Sequence, residues 1–240
     1  MTVNIREILS RRTDLSTFLV HLTRDRDEEW PAKRVLMKIA EDTMIFAKTA
    51  MGWAADHLDS DELAKQSQRV VCFSETPLEH IDLLVADIVG RQVQLRPWGL
   101  VVTKMMARSK GVNPVWYVDM TPGRDWEISN ALNTLRDNAI ATGFRTHPAA
   151  MILPYFEPMG TWPNSQREFW WEREWRIRDH FSFGLNQIVS WIVPQAEQDE
   201  FIETVKDWYP GRPCRCIDAN WSLEEIIAKL TNQSPISPFE

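Results

Sequence analysis

The order of the β-type segments constrains the fold of this chain more than any single motif, because the later segments follow one another without a helix between them. The β-type segments lie at 16–23, 69–74, 99–104, 114–119, 151–156, 168–177 and 188–193. Helical patterns are expected over 32–58, after Thr76, over 126–141, over 195–208 and after Ser222. Directly joined strands favour an α+β fold over a regular alternation of strands and helices.

Length and composition predict one domain. The chain has 240 residues, 44% of them hydrophobic, which is enough to bury one sizeable core. We expect a single α+β domain over residues 1–233 and an irregular tail over 234–240, where two prolines prevent a helix. Most of the twelve tryptophans are expected to pack in the core.

Charge and cysteine content bear on partners and location. The 27 Lys and Arg against 34 Asp and Glu give a net charge of −7, which argues against a general phosphate-binding surface but allows a local basic groove. Three cysteines are too few for a disulfide framework and fit a reduced cytoplasm. The sequence has neither a secretion signal nor a membrane-spanning window, so we expect a cytoplasmic protein without membrane contact.

Two common kinds of site are not indicated by the sequence. The glycine-rich phosphate loops of dinucleotide-binding and P-loop proteins do not occur in it. The histidines and cysteines lack the spacing of metal ligands. We therefore expect no metal.

The segment 168–177 carries the most chemistry. It holds three carboxylates, three tryptophans and two arginines in ten residues. Read as a strand, it places Glu172, Glu174 and Arg176 on one face, with the two carboxylates about 7 Å apart. One carboxylate could stabilise positive charge at a sugar anomeric carbon while the other positions a nucleophile. The structural alternative is that these glutamates pair with arginines across the sheet.

Two earlier segments also offer polar groups. His21 and Thr23 share one face of the first strand and could hydrogen-bond a ribose or an amide, unless His21 is a core histidine satisfied by a carbonyl. Ser74 ends the next strand before Thr76-Pro-Leu-Glu79, which has the form of a capping box. A helix start there would favour a pyrophosphate or a carboxylate, unless Ser74 and Thr76 only satisfy the turn.

Four segments in this order resemble the AbiGi family of abortive phage resistance proteins: 19–23, 71–78, 111–117 and 168–176. The resemblance covers roughly residues 10 to 195. The family carries an antitoxin label, which implies a phage-defence setting and a co-encoded toxin–antitoxin partner protein. It implies no mechanism.

The motif order is also similar to that of ADP-ribosyltransferases, especially the DarT-like modifiers of nucleic acids. In those enzymes a strand with H-x-T comes first, then a strand running into a proline-containing helix start, then a strand with the catalytic glutamate. The similarity implies an ADP-ribosyltransferase-like core of two packed, mostly antiparallel sheets. It comes with helices clustered in the N-terminal half and a C-terminal helix.

The similarity to ADP-ribosyltransferases implies which residues contact NAD. His21 and Thr23 match the motif that holds the nicotinamide ribose and amide of NAD. Phe73 or Ser74 falls at the aromatic or serine of the second motif. The expected tyrosine is missing there, so Tyr117 is the other candidate to stack on the nicotinamide.

The similarity also assigns the carboxylates. Glu174 matches the catalytic glutamate, and Glu172 completes an E-x-E, although Glu172 could equally be the catalytic member. Arg176 is counted with the cofactor-binding residues, because it would keep a neighbouring carboxylate ionised.

The leading interpretation is a phage-defence toxin that transfers ADP-ribose from NAD, its co-substrate, to a macromolecule, with DNA and RNA as candidate acceptors. Cleavage of NAD passes through an oxocarbenium-like state that a positioned carboxylate stabilises without a metal. The second interpretation is a non-enzymatic antitoxin or regulatory subunit that binds a toxin. A metal-independent nuclease is the third.

Overall fold

A computed structural model of the chain describes residues 15–88, 93–124 and 126–232, apart from the side chains of Ser165 and Phe169. The chain divides into two compact units. Unit 1 contains the described residues of 1–44, 73–109 and 182–240, and unit 2 contains those of 45–72 and 110–181. The expected tail over 234–240 lies outside the described residues. The single domain over 1–233 stays a prediction.

The strands of the described residues are β1 (Phe18–Leu22), β2 (Met44–Phe46), β3 (Thr49–Ala50), β4 (Arg69–Ser74), β5 (Gly99–Thr103), β6 (Asn113–Pro114), β7 (Trp116–Asp119), β8 (Phe156–Trp162), β9 (Ser165–Arg167), β10 (Glu174–Arg178), β11 (His180–Ser182), β12 (Ile188–Ile192) and β13 (Cys216–Ile217). The α-helices are α1 (Ala32–Asp42), α2 (Glu62–Gln66), α3 (Ile81–Val85), α4 (Lys104–Ser109), α5 (Glu127–Thr142), α6 (Ala149–Ile152), α7 (Gln198–Trp208) and α8 (Leu223–Thr231). These elements confirm the α+β class.

The predicted distribution of helices along the chain is wrong. Four of the described helices precede residue 120 and four follow it, so they do not cluster in the N-terminal half. The reason is that each unit covers its own core with helices. The longest, α5, buries Leu132 and Ala139 in unit 2, whereas α7 buries Phe201 and Val205 in unit 1.

Unit 1 is built on strands in the order β13-β12-β5-β1. β12 pairs in parallel with β13, and the pairs β12–β5 and β5–β1 are antiparallel. On the other side of β1, Val20 lies opposite Ser74 at the end of β4. His21 therefore lies between two strands, near the middle of this sheet.

One face of these strands forms the core of unit 1 with α3 and α8. The buried residues of this cluster include Val20, Val101, Ile192, Ile217, Ile81, Leu84 and Ile226. Each fully buried aliphatic side chain of this kind contributes about 1.5–3 kcal/mol of hydrophobic stabilisation. The predicted C-terminal helix is confirmed with its cap. Ser222 and Glu225 form the reciprocal capping box at the start of α8.

Unit 2 contains two groups of strands. β3 pairs antiparallel with β4, β4 neighbours β10, and β10 pairs antiparallel with β6. β7 pairs in parallel with β8, which pairs antiparallel with β9. A buried cluster fills the core of this unit with Trp53, Leu58, Val118, Leu132, Phe144 and Leu153.

The segment 168–177 is not one continuous strand. Residues Phe169–Glu172 form a 3₁₀ turn, Arg173 has a left-handed backbone with φ of 45°, and β10 begins only at Glu174. A left-handed residue interrupts the extended backbone, so the alternation of faces does not carry across it. The prediction that Glu172 shares a strand face with Glu174 is therefore wrong, whereas Glu174 and Arg176 do share one.

Three other local predictions are wrong. The helical pattern over 32–58 is an α-helix only as far as Asp42, and the strands β2 and β3 follow it. Residues 151–156 were expected as a strand, but they contain the end of α6 and a 3₁₀ turn, and β8 begins at Phe156. The capping box at Thr76 does not form, because Leu78–His80 is a 3₁₀ turn without a side-chain cap and α3 begins at Ile81. Thr76 is itself buried.

The tryptophans are less buried than expected. Three of the twelve are buried, namely Trp53, Trp98 and Trp191, four are half-buried and five are exposed. The indole is large enough to cover a core at its edge while leaving much of its ring in solvent. The prediction that most tryptophans are core residues is wrong.

No α-helix in the described ranges combines the length and the apolar character needed to cross a bilayer.

Candidate functional site

The most strongly organised polar group in unit 2 surrounds the guanidinium of Arg176. This side chain is completely buried. Its Nε donates to Oε1 of Glu174 at 3.0 Å, and its Nη2 donates to Oε2 of the same carboxylate at 2.7 Å. Nη2 also donates to Oε2 of Glu157 at 2.6 Å, and Nη1 donates to the carbonyl of Pro154 at 2.7 Å. A planar guanidinium thus receives oxygen partners along two of its edges.

Strand geometry explains this arrangement. Glu174 and Arg176 are two residues apart in β10 and so project from the same face. In the parallel pair of β7 and β8, Tyr117 lies opposite Glu157. The hydroxyl oxygen of Tyr117 accepts a hydrogen bond from the backbone N–H of Glu174 at 3.2 Å. Two groups of strands therefore meet around one ion pair.

The electrostatics follow from burial and from the imbalance of charge. Two carboxylates surround one guanidinium, which leaves this cluster with one net negative charge. Burial raises the pKa of Glu157 above its usual range, although Arg176 opposes the shift. Burial lowers the pKa of Arg176, but Glu174 and Glu157 outweigh that effect and the pKa of the guanidinium rises. Arg176 stays charged at any physiological pH.

The Glu174 carboxylate also shifts the pKa of two neighbouring groups. Burial raises the pKa of the Cys72 thiol, and the negative charge of Glu174 raises it further. Burial and Glu174 raise the pKa of the Tyr117 hydroxyl in the same way. Both groups therefore stay protonated at neutral pH and are poor nucleophiles. Cys72 and Glu157 were not predicted as site residues. In the sequence, Glu157 is marked only by its position directly after the apolar segment 151–156.

Glu172 and Glu174 belong to different elements. Glu172 ends the 3₁₀ turn at Phe169–Glu172 and is half-buried. The Glu174 side chain, by contrast, is 11% exposed, and both of its oxygens accept from Arg176. Each carboxylate oxygen has two accepting sites, so Glu174 also accepts a hydrogen bond from the Cys72 thiol. The two glutamates therefore have different surroundings.

His21 and Phe73 come together in unit 1. Their rings are 5.6 Å apart between centroids and are tilted by 56°. Phe73 is buried, whereas His21 is half-buried. The phenyl ring therefore fixes the imidazole, and the imidazole is the member of the pair that reaches solvent.

Thr23 closes the end of β1. Its hydroxyl lies 3.0 Å from the carbonyl oxygen of Ala32 and 3.1 Å from that of Trp98, so one proton is shared between two acceptors. Its backbone N–H also donates to Trp98 at 2.7 Å. Thr23 is only 3% exposed. In this structure its contacts hold the strand end that carries His21.

Ser74 is buried and is followed by a buried acid. The carboxylate of Glu75 pairs with Lys104 at 2.8 Å. The helix that follows, α3, has five residues and begins only at Ile81. The α-helix predicted to start directly after Ser74 therefore begins later, at Ile81, and an anion site at Ser74 stays a prediction.

The predicted site residues thus form two groups. Glu174, Arg176 and Tyr117 lie together in unit 2. His21 and Phe73 lie together in unit 1, where Thr23 and Ser74 are buried at the ends of their strands. Across the described ranges, His, Cys, Asp and Glu side chains form no group that could hold a metal ion.

Comparison with known proteins returns no matching family model, no matching curated protein and no matching solved structure. The AbiGi-like and ADP-ribosyltransferase-like assignments stay predictions.

Proposed function

We propose that this protein is an NAD-dependent ADP-ribosyltransferase that acts as a toxin in phage defence. The observation that supports the proposal best is the two-point pairing of Glu174 with the buried Arg176. Cleavage of the glycosidic bond of NAD needs a carboxylate whose orientation is set before the reaction begins. Arg176 holds Glu174 in one orientation, and the cluster keeps a net negative charge that would stabilise an oxocarbenium-like state.

The remaining roles follow from the motif order. His21 donates a hydrogen bond to the nicotinamide end of NAD, and Phe73 positions the imidazole. Thr23 holds the strand end that carries His21. Glu172, on its separate turn, contacts the acceptor nucleophile. Glu174 stabilises the developing cation.

The experiment that tests this function is transfer of labelled ADP-ribose from NAD to DNA, RNA or protein in a lysate. Glu172→Gln and Glu174→Gln are expected to lose transfer by at least about a hundredfold, in keeping with the loss of a transition-state electrostatic contact. Glu168→Gln is the matched control, because Glu168 accepts from Trp170 at 3.1 Å within the same segment. It should keep full activity.

A folding measurement must accompany the assay, because Glu174 also neutralises a buried guanidinium. Circular dichroism and thermal unfolding of each variant separate a catalytic loss from unfolding. If Glu174→Gln does not fold, Glu172→Gln and His21→Ala still test the proposal. Absence of label in every fraction with folded wild-type protein would overturn it.

A second candidate function rests on a different observation. Unit 2 exposes Trp116 by 57%, Trp170 by 55% and Trp171 by 39%. Exposed tryptophans are enriched at protein interfaces and often dominate their binding energy. We propose as the second function an antitoxin or regulatory subunit that binds a co-encoded toxin.

Growth experiments separate the two functions. A toxin arrests cells when it is expressed alone, and Glu172→Gln relieves the arrest. An antitoxin leaves growth unchanged alone and rescues cells that express the co-encoded toxin. In that case Trp116→Ala or Trp170→Ala should abolish the rescue, whereas Glu172→Gln should not.

A further inference from the structure

Cys214 and Cys216 form a pair of thiols in unit 1, where the chain passes from α7 into β13. Cys214 is half-buried, whereas Cys216 is 0% exposed. One thiol is therefore accessible to a reagent in solvent, and the other is enclosed in the protein. Both lie outside the group around Arg176, which belongs to unit 2.

The pairing of β12 with β13 places both sulfurs on one side of the backbone. Cys216 lies opposite Trp191 in this parallel pair. The N–H of Trp191 donates to the carbonyl of Arg215 at 2.7 Å, and the hydroxyl of Ser190 donates to the same carbonyl at 3.0 Å. None of residues 214–216 is among those with a left-handed backbone. The segment is therefore extended, and side chains two residues apart project to the same side.

The two thiols are in contact. The S–H of Cys216 donates a hydrogen bond to the sulfur of Cys214. Twice the rise of an extended residue puts the two Cα atoms about 6.4–6.8 Å apart. Disulfides span Cα separations up to roughly 6.8 Å, so a bond between these sulfurs is within reach but strained. Strained disulfides are readily reduced again.

The contact divides the two thiols into an attacking and a resolving member. The hydrogen bond from Cys216 lowers the pKa of Cys214, burial opposes the shift, and the charge of Lys206 supports it. The hydrogen bond to Cys214, burial and the negative charge of Cys214 together raise the pKa of Cys216. Once the sulfur of Cys214 is part of a disulfide, it carries no charge. The contribution of that charge to the pKa of Cys216 then disappears, and the second thiol becomes easier to ionise.

We propose that Cys214 and Cys216 form a site of reversible oxidation that exchanges with low-molecular-weight disulfides of the glutathione type. The Cys214 thiolate attacks one sulfur of the small disulfide, whose S–S bond breaks, and the departing thiolate takes up a proton from water. Cys216 then loses its proton to water and attacks the sulfur of Cys214, which releases the second small thiol. The two protein thiols are oxidised to one disulfide, and the small disulfide is reduced to two thiols.

The test is incubation of the reduced full chain with an excess of oxidised glutathione in oxygen-free buffer at neutral pH. Mass spectrometry of the intact protein should show the loss of two hydrogen atoms, and peptide mapping should place the bond between Cys214 and Cys216. Dithiothreitol should restore the starting mass. Cys72 in the same molecules is the internal control, because its buried thiol has a raised pKa. It should react at least about tenfold more slowly than Cys214.

Two variants separate the roles of the thiols. Cys216→Ala removes the resolving thiol, so one glutathione should remain attached to Cys214. Cys214→Ser removes the accessible thiol, so Cys216 should stay reduced because it is enclosed. Circular dichroism checks that each variant is folded. If Cys216→Ala does not fold, the wild-type protein and Cys214→Ser still decide the question.

Four results would overturn the proposal. They are an unmodified wild-type protein, a glutathione that stays on Cys214 although Cys216 is present, a disulfide between two copies of the chain, and modification of Cys72 as fast as that of Cys214. The exchange uses neither NAD nor Glu174, so its outcome is independent of the transfer assay.

Discussion

Glu174 and Arg176 are joined at two points, with Oε1 to Nε at 3.0 Å and Oε2 to Nη2 at 2.7 Å, although they belong to the same strand. The strand period of two makes this pairing natural, since both side chains project from one face of β10. Glu174 is therefore both the proposed catalytic carboxylate and the main partner of a buried cation. Loss of either residue affects the stability of unit 2 as well as its chemistry.

Removing the buried cation should strongly destabilise the protein. Arg176→Ala leaves the carboxylates of Glu174 and Glu157 buried without their guanidinium, and we expect a loss of about 3–5 kcal/mol in the free energy of unfolding by urea. Arg69→Ala is the control, because Arg69 pairs with Glu62 on the surface at 3.3 Å. It should change stability by no more than about 1 kcal/mol. Equal effects of the two substitutions would contradict the buried network.

The stability of the protein should depend on pH through Glu157. Burial raises its folded-state pKa above the ordinary value of 4.5, so the folded state binds the proton more tightly than the unfolded state. Stability from this group is therefore present at low pH and is lost as the pH rises from about 4.5 through the folded pKa. Glu157→Gln imitates the protonated acid, so its destabilisation should be smaller near pH 8 than near pH 4.5. Urea unfolding of both proteins across this range checks the sign.

Cysteine reactivity should differ sharply among the three thiols. Burial and Glu174 raise the pKa of the Cys72 thiol. The thiols of Cys216 and Cys214 are joined by a hydrogen bond. This hydrogen bond raises the pKa of Cys216 and lowers the pKa of Cys214. The thiolate is the reactive form. Maleimide labelling of the folded protein, read by peptide mass spectrometry, should modify Cys214 first. Rapid labelling of Cys72 would contradict the raised pKa of its thiol.

Gly99 should not tolerate a side chain. A Cβ at this position would lie 2.1 Å from the carbonyl oxygen of His21, because β5 passes close to β1 there. Gly99→Ala should lower the free energy of unfolding by about 1–3 kcal/mol or more. Gly184→Ala is a matched control, since the nearest atom to its Cβ would be the side-chain oxygen of Asn186 at 2.7 Å and not a backbone atom. Thermal unfolding of both variants decides the point, and equal melting temperatures would be evidence against the close approach.

Local sequence patterns were sufficient for much of the secondary structure. Strands β1, β4, β5 and β12 lie where β-branched and aromatic runs predicted them, and α8 begins at its capping box. These predictions succeed because period-two alternation and cap hydrogen bonds involve residues that are neighbours in the chain. The pairing of Glu174 with Arg176 belongs to the same class, because the two residues are only two positions apart.

The other members of the site depend on tertiary structure. Glu157 and Pro154 reach Arg176 from about twenty residues away, and Tyr117 reaches Glu174 from 57 residues away. No local pattern specifies those distances, because they depend on the pairing of β7 with β8 and on their approach to β10. Tertiary packing likewise decided that Thr23 and Phe73 are buried and that His21 is half-buried.

The sequence by itself determined the α+β class, the order of the main strands and the chemical character of the segment around Glu174. Only the tertiary structure decided where β10 begins, since the left-handed Arg173 separates Glu172 from the strand face of Glu174. It also decided which charges are buried. The physical reason is that desolvation and charge pairing act between residues distant in the chain, and they exceed the local preferences that a sequence pattern records.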